Sequence, residues 1–224
     1  MHRSVLALLT CLLATGCVST GHAESTSPSR TLIPRPLVER ELSSLLLTPE
    51  TIDASMGTVG MAPVESRSTM TDSAAIMAPL ECLPIDGAAE AAVYADSGFW
   101  AERDQSLNNG DGFTHYLKQA VVLFGTPESA SAFFDASAER WSLCHDYTHA
   151  QSGSEWSVGP VSNAKPTLSA ITTMHDAGTP GWACGRALTL ENNVIVDVNT
   201  CSANPADSAP KISRLIADDV KSRW

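Results

Sequence analysis

The feature that most constrains the fold is the stretch 182–201, which reads WACGRALTLENNVIVDVNTC. Two strand-like runs flank Asn192 and Asn193, and asparagine tolerates the positive φ that a two-residue type I′ hairpin loop requires. Counting outward from this loop places Cys184 directly opposite Cys201. The alternation of an antiparallel ladder makes this the close, non-hydrogen-bonded kind of pair, with Cα atoms about 4.5 Å apart. Disulfides span about 4.4 to 6.8 Å, so the register predicts a Cys184–Cys201 disulfide; the alternative is two free, buried cysteines in unrelated elements.

The two faces of this hairpin differ in character. On the mixed face, Arg186 lies diagonally from Asp197 and directly across from Asn199, which is close enough for contact. These three residues could line a ligand site, or they could form a solvated cross-strand pair. The other face is small and β-branched and is predicted to contact a core: it carries Ala183, Ala187, Val194, Val196 and Val198.

The N-terminal residues have the organisation of a bacterial lipoprotein signal. A basic start at 1–3 precedes a mostly apolar run at 4–14, which is shorter than the roughly 20 residues of a spanning helix. The sequence LATGC at 13–17 resembles a lipobox, although Ala14 stands where leucine is usual. We therefore predict a signal peptide at 1–16, acylation of Cys17 and anchoring to the cell membrane. The alternative is a plain secretory signal with a later cleavage point.

The remaining cysteines fit an exported domain with two disulfides. Of six cysteines, two lie in the leader and its lipobox, and four remain. An even number in an exported chain indicates disulfides. Because the hairpin register selects Cys184–Cys201, elimination leaves Cys82–Cys144 as the second pair.

The pattern of the mature chain predicts one α+β domain. Residues 17–36 are rich in Ser, Thr, Gly and Pro and are predicted to be a lipidated, disordered tether, followed by a single folded domain at 37–224. Periodicity predicts an antiparallel sheet with helices packed on one side. The expected helices lie at 37–47, from 49 to about 57, and at 84–94, 126–145 and 209–221, and the expected strands outside the hairpin lie at 59–61, 98–107, 113–124, 155–161 and 168–175.

Composition and motifs disfavour nucleic-acid binding and the familiar enzyme classes. The formal net charge is −11 and no Lys/Arg cluster occurs, so we predict no nucleic-acid partner. No GxSxG, Walker or GxGxxG motif is present, and we predict no catalytic residue and no cofactor. His145 and His149 would share one face of a continuing helix as a metal pair, but no glutamate follows as in HExxH. Solvated helix-end histidines are favoured, and no metal site is predicted.

Short anchors spread over most of the mature chain carry a family resemblance. In order, they are Leu45-Leu46-Leu47-Thr48, Glu81-Cys82, Phe99-Trp100, Gln119-Ala120-Val121, Ala130, Phe133-Phe134, Trp141, Leu143-Cys144, Cys184-Gly185-Arg186-Ala187, Val196-Asp197-Val198, Cys201 and the amphipathic C-terminal helix. With these anchors and four cysteines in order, the chain resembles the PknH-like extracellular (sensor) domain family, in the form of a mycobacterial envelope lipoprotein. The resemblance covers roughly residues 37–224.

The resemblance implies an antiparallel sheet backed by helices, two disulfides and a cleft for an unidentified ligand. We expect Arg186, Asp197 and Asn199 to contribute to ligand binding, because the hairpin register places them on one face. The prediction is therefore an extracytoplasmic, lipid-anchored, non-catalytic sensor domain that binds a small or envelope-derived ligand. Two alternatives are an interaction or scaffold lipoprotein that docks an envelope protein partner, and a hydrolase whose His/Asp pair is not visible in the sequence.

Overall fold

The computed structural model describes residues 34–223. The predicted signal peptide, the lipidation site Cys17 and all of the predicted tether before residue 34 lie outside these residues. The described chain forms one folded unit around a ten-stranded sheet in which all strand pairs are antiparallel. Within residues 34–223 there is no helix with the length and apolar character needed to span a bilayer.

The sheet is built around the predicted hairpin, which occupies its centre. Its strand order is β1-β3-β4-β10-β9-β8-β6-β5-β2, and β7 pairs separately with β8. The strands are β1 Ala62–Arg67, β2 Met77–Ala78, β3 Phe99–Asn108, β4 Tyr116–Phe124, β5 Asp146–His149, β6 Ser154–Val158, β7 Ser162–Ala164, β8 Thr167–Met174, β9 Ala183–Glu191 and β10 Val194–Ser202.

In the described part of the chain, five α-helices connect and cover these strands. Their bounds are α1 Pro49–Met56, α2 Leu83–Asp86, α3 Ala91–Tyr94, α4 Pro127–Trp141 and α5 Ser208–Ser222, and 3-10 helices lie at Glu39–Leu45, Ala74–Ile76 and Leu80–Cys82. The start of α4 is capped, because the Thr126 hydroxyl accepts a hydrogen bond from the Ser129 N–H at 3.2 Å. Helix α1 ends where Gly57 adopts a left-handed φ of 66°, which glycine reaches without steric cost.

The register predicted for the central hairpin is confirmed. Asn199 pairs with Arg186, and Cys201 pairs with Cys184, as counted from the loop. The loop itself differs, because Asn192 has a φ of 54° while Asn193 does not adopt a positive φ, so the predicted type I′ turn is wrong. The reason lies in the buried Asn193 side chain, which binds backbone groups of neighbouring segments and fixes its conformation.

Both predicted disulfides are present. Cys184 and Cys201 are joined across the hairpin with Cα atoms 4.1 Å apart, the close kind of pair that the register required. Cys82 and Cys144 are joined across 62 residues of sequence with Cα atoms 5.1 Å apart. The second bridge ties the segment before α2 to the chain that follows α4.

The helices lie on both faces of the sheet, whereas the sequence pattern predicted them on one side. Successive residues of β10 point to opposite faces, so Val196 enters one core and Ile195 enters the other. The first core contains α5, α1 and the N-terminal 3-10 helix, and the second contains α4 and both disulfides. The prediction of an antiparallel sheet with helices is confirmed. The one-sided arrangement is wrong because β9 and β10 are buried on both faces.

Several element boundaries differ from the predicted ones for local physical reasons. The helix expected at 84–94 is broken at 87–90, where side chains of the sheet bind the backbone. The helix expected to reach residue 145 ends at Trp141, and the chain then enters β5. His149 therefore lies on a strand and shares no helix face with His145. The helix expected at 37–47 is a 3-10 helix, and the strand expected at 59–61 forms instead at the adjacent β1.

Candidate functional site

A cavity of about 430 Å³ opens on the disulfide-bearing face of the sheet, at the end of the central hairpin away from its loop. Cys184, Cys201 and Asn199 form part of its lining, and residues 86–88 form a wall above the sheet. A hydrogen bond of 2.7 Å from the Asn199 Nδ2 to the Asp86 carbonyl joins the wall to β10. The cavity is therefore built where the hairpin meets the broken helix.

Aromatic rings form one side of this cavity. The Phe113 ring centroid lies 6.3 Å from that of Tyr116 and 6.3 Å from that of Trp182. Phe113 is 44% exposed, so part of its ring is open to solvent. Trp156 lines the cavity from β6 and stacks on Tyr147 with the two ring planes 3° apart. The rings of Phe113, Tyr116 and Trp182 give the cavity an apolar wall that carries the polar hydroxyl of Tyr116.

Polar groups line the floor between β4 and the segment 71–90. The Lys118 ammonium donates to the Thr71 hydroxyl at 2.8 Å, and the Thr71 hydroxyl also lies 3.0 Å from a Glu90 carboxylate oxygen. Glu90 further accepts from the Ser73 N–H at 2.8 Å. Burial raises the pKa of Glu90 above its usual value, against the opposing effect of these donors. Ser106 completes the floor, 3.2 Å from the Tyr116 hydroxyl.

A histidine–carboxylate pair lies in another part of the wall. The His149 Nε2 is 2.9 Å from a carboxylate oxygen of Asp86, and its Nδ1 is 3.3 Å from the Ser154 hydroxyl. The hydrogen bond to Asp86 raises the pKa of His149 above its usual value. The Trp156 indole N–H donates to the same serine hydroxyl at 3.1 Å. A Ser–His–Asp sequence of contacts thus exists, assembled from α2, β5 and β6.

Behind this cavity, Arg186 and Asp197 form a buried ion pair. The Arg186 Nη1 lies 2.7 Å from an Asp197 oxygen, and the two side chains are 1% and 2% exposed. Arg186 also donates to the carbonyls of Pro84 and Gly87 at 3.0 and 2.9 Å. Its guanidinium lies over the Trp141 ring, 5.1 Å from the centroid. The pair is not the solvated cross-strand pair considered from the sequence, since α2 and α4 cover it.

Asp197 holds the wall of the cavity from the other side. One carboxylate oxygen accepts from the Ala89 N–H and from the Tyr94 hydroxyl, each at 2.9 Å. Ala89 adopts a φ of 51°, a conformation that a non-glycine residue enters only at a cost. Burial, followed by the charge of Asp197, raises the pKa of Tyr94 well above its usual value. These contacts fix the path of residues 84–94.

The predicted ligand-binding residues thus fall into two groups. Asn199 lines the cavity, whereas Arg186 and Asp197 lie behind its wall and hold that wall in place. A contribution of all three to ligand binding stays a prediction. Sequence reasoning missed Lys118, Glu90 and the aromatic wall, because no motif joins residues so distant in the chain. The available signal was weak: Lys118 stands in the apolar strand β4, where a charged residue is unexpected.

Two acidic residues on β3 are buried beside this floor without hydrogen-bond partners. Glu102 and Asp104 are each 1% exposed, and their four carboxylate oxygens contact no donor within residues 34–223. Burial, followed by the charge of Asp104, raises the pKa of Glu102 to about 7. Burial also raises the pKa of Asp104, opposed mainly by Lys118. No group of three or more His, Cys, Asp or Glu side chains in the described part of the chain is arranged to hold a metal ion.

Comparison with known proteins agrees with this architecture. The family model described as "PknH-like extracellular domain" matches residues 37–219. Proteins named serine/threonine-protein kinase PknH, from Mycobacterium bovis and Mycobacterium tuberculosis, are 33% identical to the chain over 192 residues, or 84% of it. The matched part is 32% and 30% of those proteins, so the chain spans about a third of the length of these curated relatives.

A solved structure shares the fold over almost its entire length. The crystal structure of the extracellular domain of PknH from Mycobacterium tuberculosis superposes with a TM-score of 0.80 and 32% sequence identity. The match covers 84% of this chain and 99% of that one. The two chains therefore share the overall fold.

Proposed function

The chain belongs to the family of PknH-like extracellular domains, and from this premise we propose that its folded domain is a non-catalytic sensor module that binds a small ligand in the cavity beside the central hairpin. The observation that carries the proposal is the cavity itself. Its volume of about 430 Å³ lies within the range of roughly 300 to 1,000 Å³ typical of small-molecule sites. Apolar rings on one side and convergent polar groups on the other are the usual composition of such sites.

The rigidity of the surrounding structure supports a preformed site. The Cys184–Cys201 disulfide crosses the hairpin at the cavity, and the Arg186–Asp197 pair fixes residues 84–94 above it. A wall that is already ordered loses little conformational entropy when a ligand binds. In this proposal Asn199 contacts the ligand, and Arg186 and Asp197 position the wall.

Membership of an extracellular-domain family, together with two disulfides, supports an extracytoplasmic location. We further propose that Cys17 is acylated and anchors the domain to the cell membrane. Metabolic labelling with an alkyne-bearing palmitate analogue, followed by membrane fractionation, tests the anchor. Wild type should incorporate label and sediment with membranes, whereas Cys17→Ser should do neither. If the Cys17→Ser protein still incorporates the label, the proposal that Cys17 is the acylated residue is wrong.

Ligand binding is tested on the protein purified from its own host's envelope under non-reducing conditions. Native mass spectrometry should detect an added small-molecule mass that disappears on denaturation. An Asn199→Leu variant, which replaces the amide at the cavity by an apolar side chain of similar size, should carry less of that mass. If wild type and Asn199→Leu both show only the bare protein mass, the binding proposal is contradicted.

The Ser154–His149–Asp86 contacts make the non-catalytic part of the proposal testable. The His149–Asp86 pair is present, and acyl transfer would also require donors that stabilise an oxyanion beside the Ser154 hydroxyl. Incubation with p-nitrophenyl acetate and with a fluorophosphonate probe should give no turnover and no label. Turnover that is lost in Ser154→Ala would overturn the non-catalytic assignment and favour the hydrolase alternative.

A protein-docking function is favoured by one observation, an exposed tryptophan outside the cavity. Trp100 is 74% exposed at the end of β3 that β1 does not cover, and tryptophan is enriched among the residues that dominate protein interfaces. Crosslinking in intact cells should recover the same protein partner with wild type and with the Asn199→Leu variant, and should lose it with Trp100→Ala. If Trp100→Ala still recovers the partner, the proposal that Trp100 belongs to a docking surface is wrong.

A further inference from the structure

We propose that the ligand of the cavity is a neutral saccharide, held with one face of a sugar ring against the aromatic wall and its hydroxyls on the polar floor. The inference rests on the proposed binding function and names the chemical class of its ligand. The aromatic wall, the polar floor and the charges of the cavity would each suit several kinds of molecule. Together they favour a neutral sugar.

The aromatic wall supplies the apolar half of the site. Phe113, Tyr116 and Trp182 lie with neighbouring ring centroids 6.3 Å apart, and Phe113 and Trp182 are not fully covered by protein. Large ring faces favour a flat apolar surface over a branched chain. The C–H face of a pyranose or furanose ring is such a surface, and the hydroxyls at its edge remain free for hydrogen bonds.

The floor supplies donors and acceptors together. Lys118 has three N–H donors, of which one contacts Thr71 within residues 34–223, and its residue is 6% exposed. Glu90 supplies carboxylate acceptors, and Ser106 and Tyr116 supply hydroxyls that can act in either role. A hydroxyl group both donates and accepts, so a polyhydroxylated ring satisfies such a floor. A hydrocarbon chain would cover the floor without offering an acceptor to the Lys118 donors that do not contact Thr71, at a cost for each of them.

The charges around the cavity disfavour an anionic ligand. Glu65, Asp86 and Glu90 line it, and the basic groups in its lining are Lys118 and the His149 that pairs with Asp86. A phosphate or carboxylate would approach more negative groups than positive ones. A cationic ligand would meet the Lys118 ammonium on the floor. A neutral molecule avoids both conflicts.

The test uses the full chain against defined saccharides. Binding of neutral hexose and pentose oligosaccharides is measured by saturation-transfer NMR and thermophoresis, with oligosaccharides containing uronic acid and choline as charged comparisons. The neutral members should bind, and the charged ones should not. Trp182→Ala should weaken binding about tenfold, Trp182→Phe should retain most of it, and Trp100→Ala should match wild type. Thermal unfolding of each variant shows that the fold is intact.

The outcomes separate the sugar assignment from the binding function. If a non-saccharide mass is retained in native mass spectrometry while all neutral sugars fail to bind, the saccharide is overturned and the cavity remains a binding site. If charged members bind in preference, the neutral assignment is overturned. If neither sugars nor any retained mass is found, both proposals fall. Vesicles of phosphatidylcholine with and without digalactosyl glycolipid then distinguish a free oligosaccharide from a lipid headgroup as the source.

Discussion

Replacement of Glu102 by glutamine should change how stability depends on pH. The Glu102 carboxylate is buried without a hydrogen-bond partner, and burial, together with Asp104, raises its pKa from 4.5 to about 7. A shift of this size corresponds to about 3 kcal/mol of preference for the neutral form. Because the pKa is raised in the folded state, this stability is present below about pH 4.5 and is lost as the pH rises through about 7.

The assay is equilibrium unfolding in urea under non-reducing conditions, from pH 4.5 to pH 8. Across this window the free energy of unfolding of Glu102→Gln, relative to wild type, should rise by about 3 kcal/mol. The amide is itself buried without partners, so its absolute stability can be lower at every pH; the prediction concerns the difference in slope. Glu139→Gln, on the exposed surface of α4, is the matched control and should follow the wild-type slope.

Parallel curves for wild type and Glu102→Gln would refute this reasoning. They would mean that the carboxylate stays charged in the fold and is neutralised by Lys118, Arg103 or Arg67, the basic residues whose charges oppose the rise in its pKa. A titration shared with Asp104 would appear as two macroscopic steps belonging to the pair. In that case Asp104→Asn should alter the same part of the pH profile.

Three further perturbations follow from the contacts around the hairpin. Arg186→Met should lower the free energy of unfolding by about 3 to 5 kcal/mol, because Asp197 stays buried without its partner; a loss below 1 kcal/mol in urea unfolding would contradict a buried pair. Asn193→Ala should cost on the order of 3 kcal/mol, since several buried backbone groups lose their partner, and a neutral effect in the same assay would contradict that role. Replacing Cys184 and Cys201 together by serine should cost about 3 kcal/mol for a loop of this length, and calorimetry of the double variant that showed an unchanged melting temperature would contradict the estimate.

The sequence was sufficient for the parts of the fold that depend on local chemistry. Asn192 and Asn193 mark the hairpin loop, the cysteine register fixes the pairing of β9 with β10, and an N-cap with proline begins both α1 and α4. Each of these signals is contained within about twenty residues of chain. The second disulfide followed from counting, and its prediction needed no knowledge of the distance between its cysteines.

The parts that depended on distant contacts could not be read in this way. Residues 84–94 have helical composition, yet Arg186 and Asp197 bind their backbone and break the helix at Gly87. The same pair looked solvated because the sequence of one hairpin does not show what covers it. Lys118 and Glu90 come together only when β4 packs against the loop between α2 and α3. Neither segment contains a sequence signal that predicts this contact.

The hydrogen bonds of the Asn193 side chain have a mechanical consequence. Its amide accepts from the Leu37 N–H at 2.8 Å and donates to the carbonyls of Leu37 and Phe124 at 3.1 and 2.8 Å, which fastens the N-terminal end of the folded domain to the hairpin turn. The cavity lies at the opposite end of the same strands, roughly 25 Å away at about 3.3 Å per residue. A pull on the N-terminal side is therefore borne by the turn and transmitted along two stiff, disulfide-linked strands.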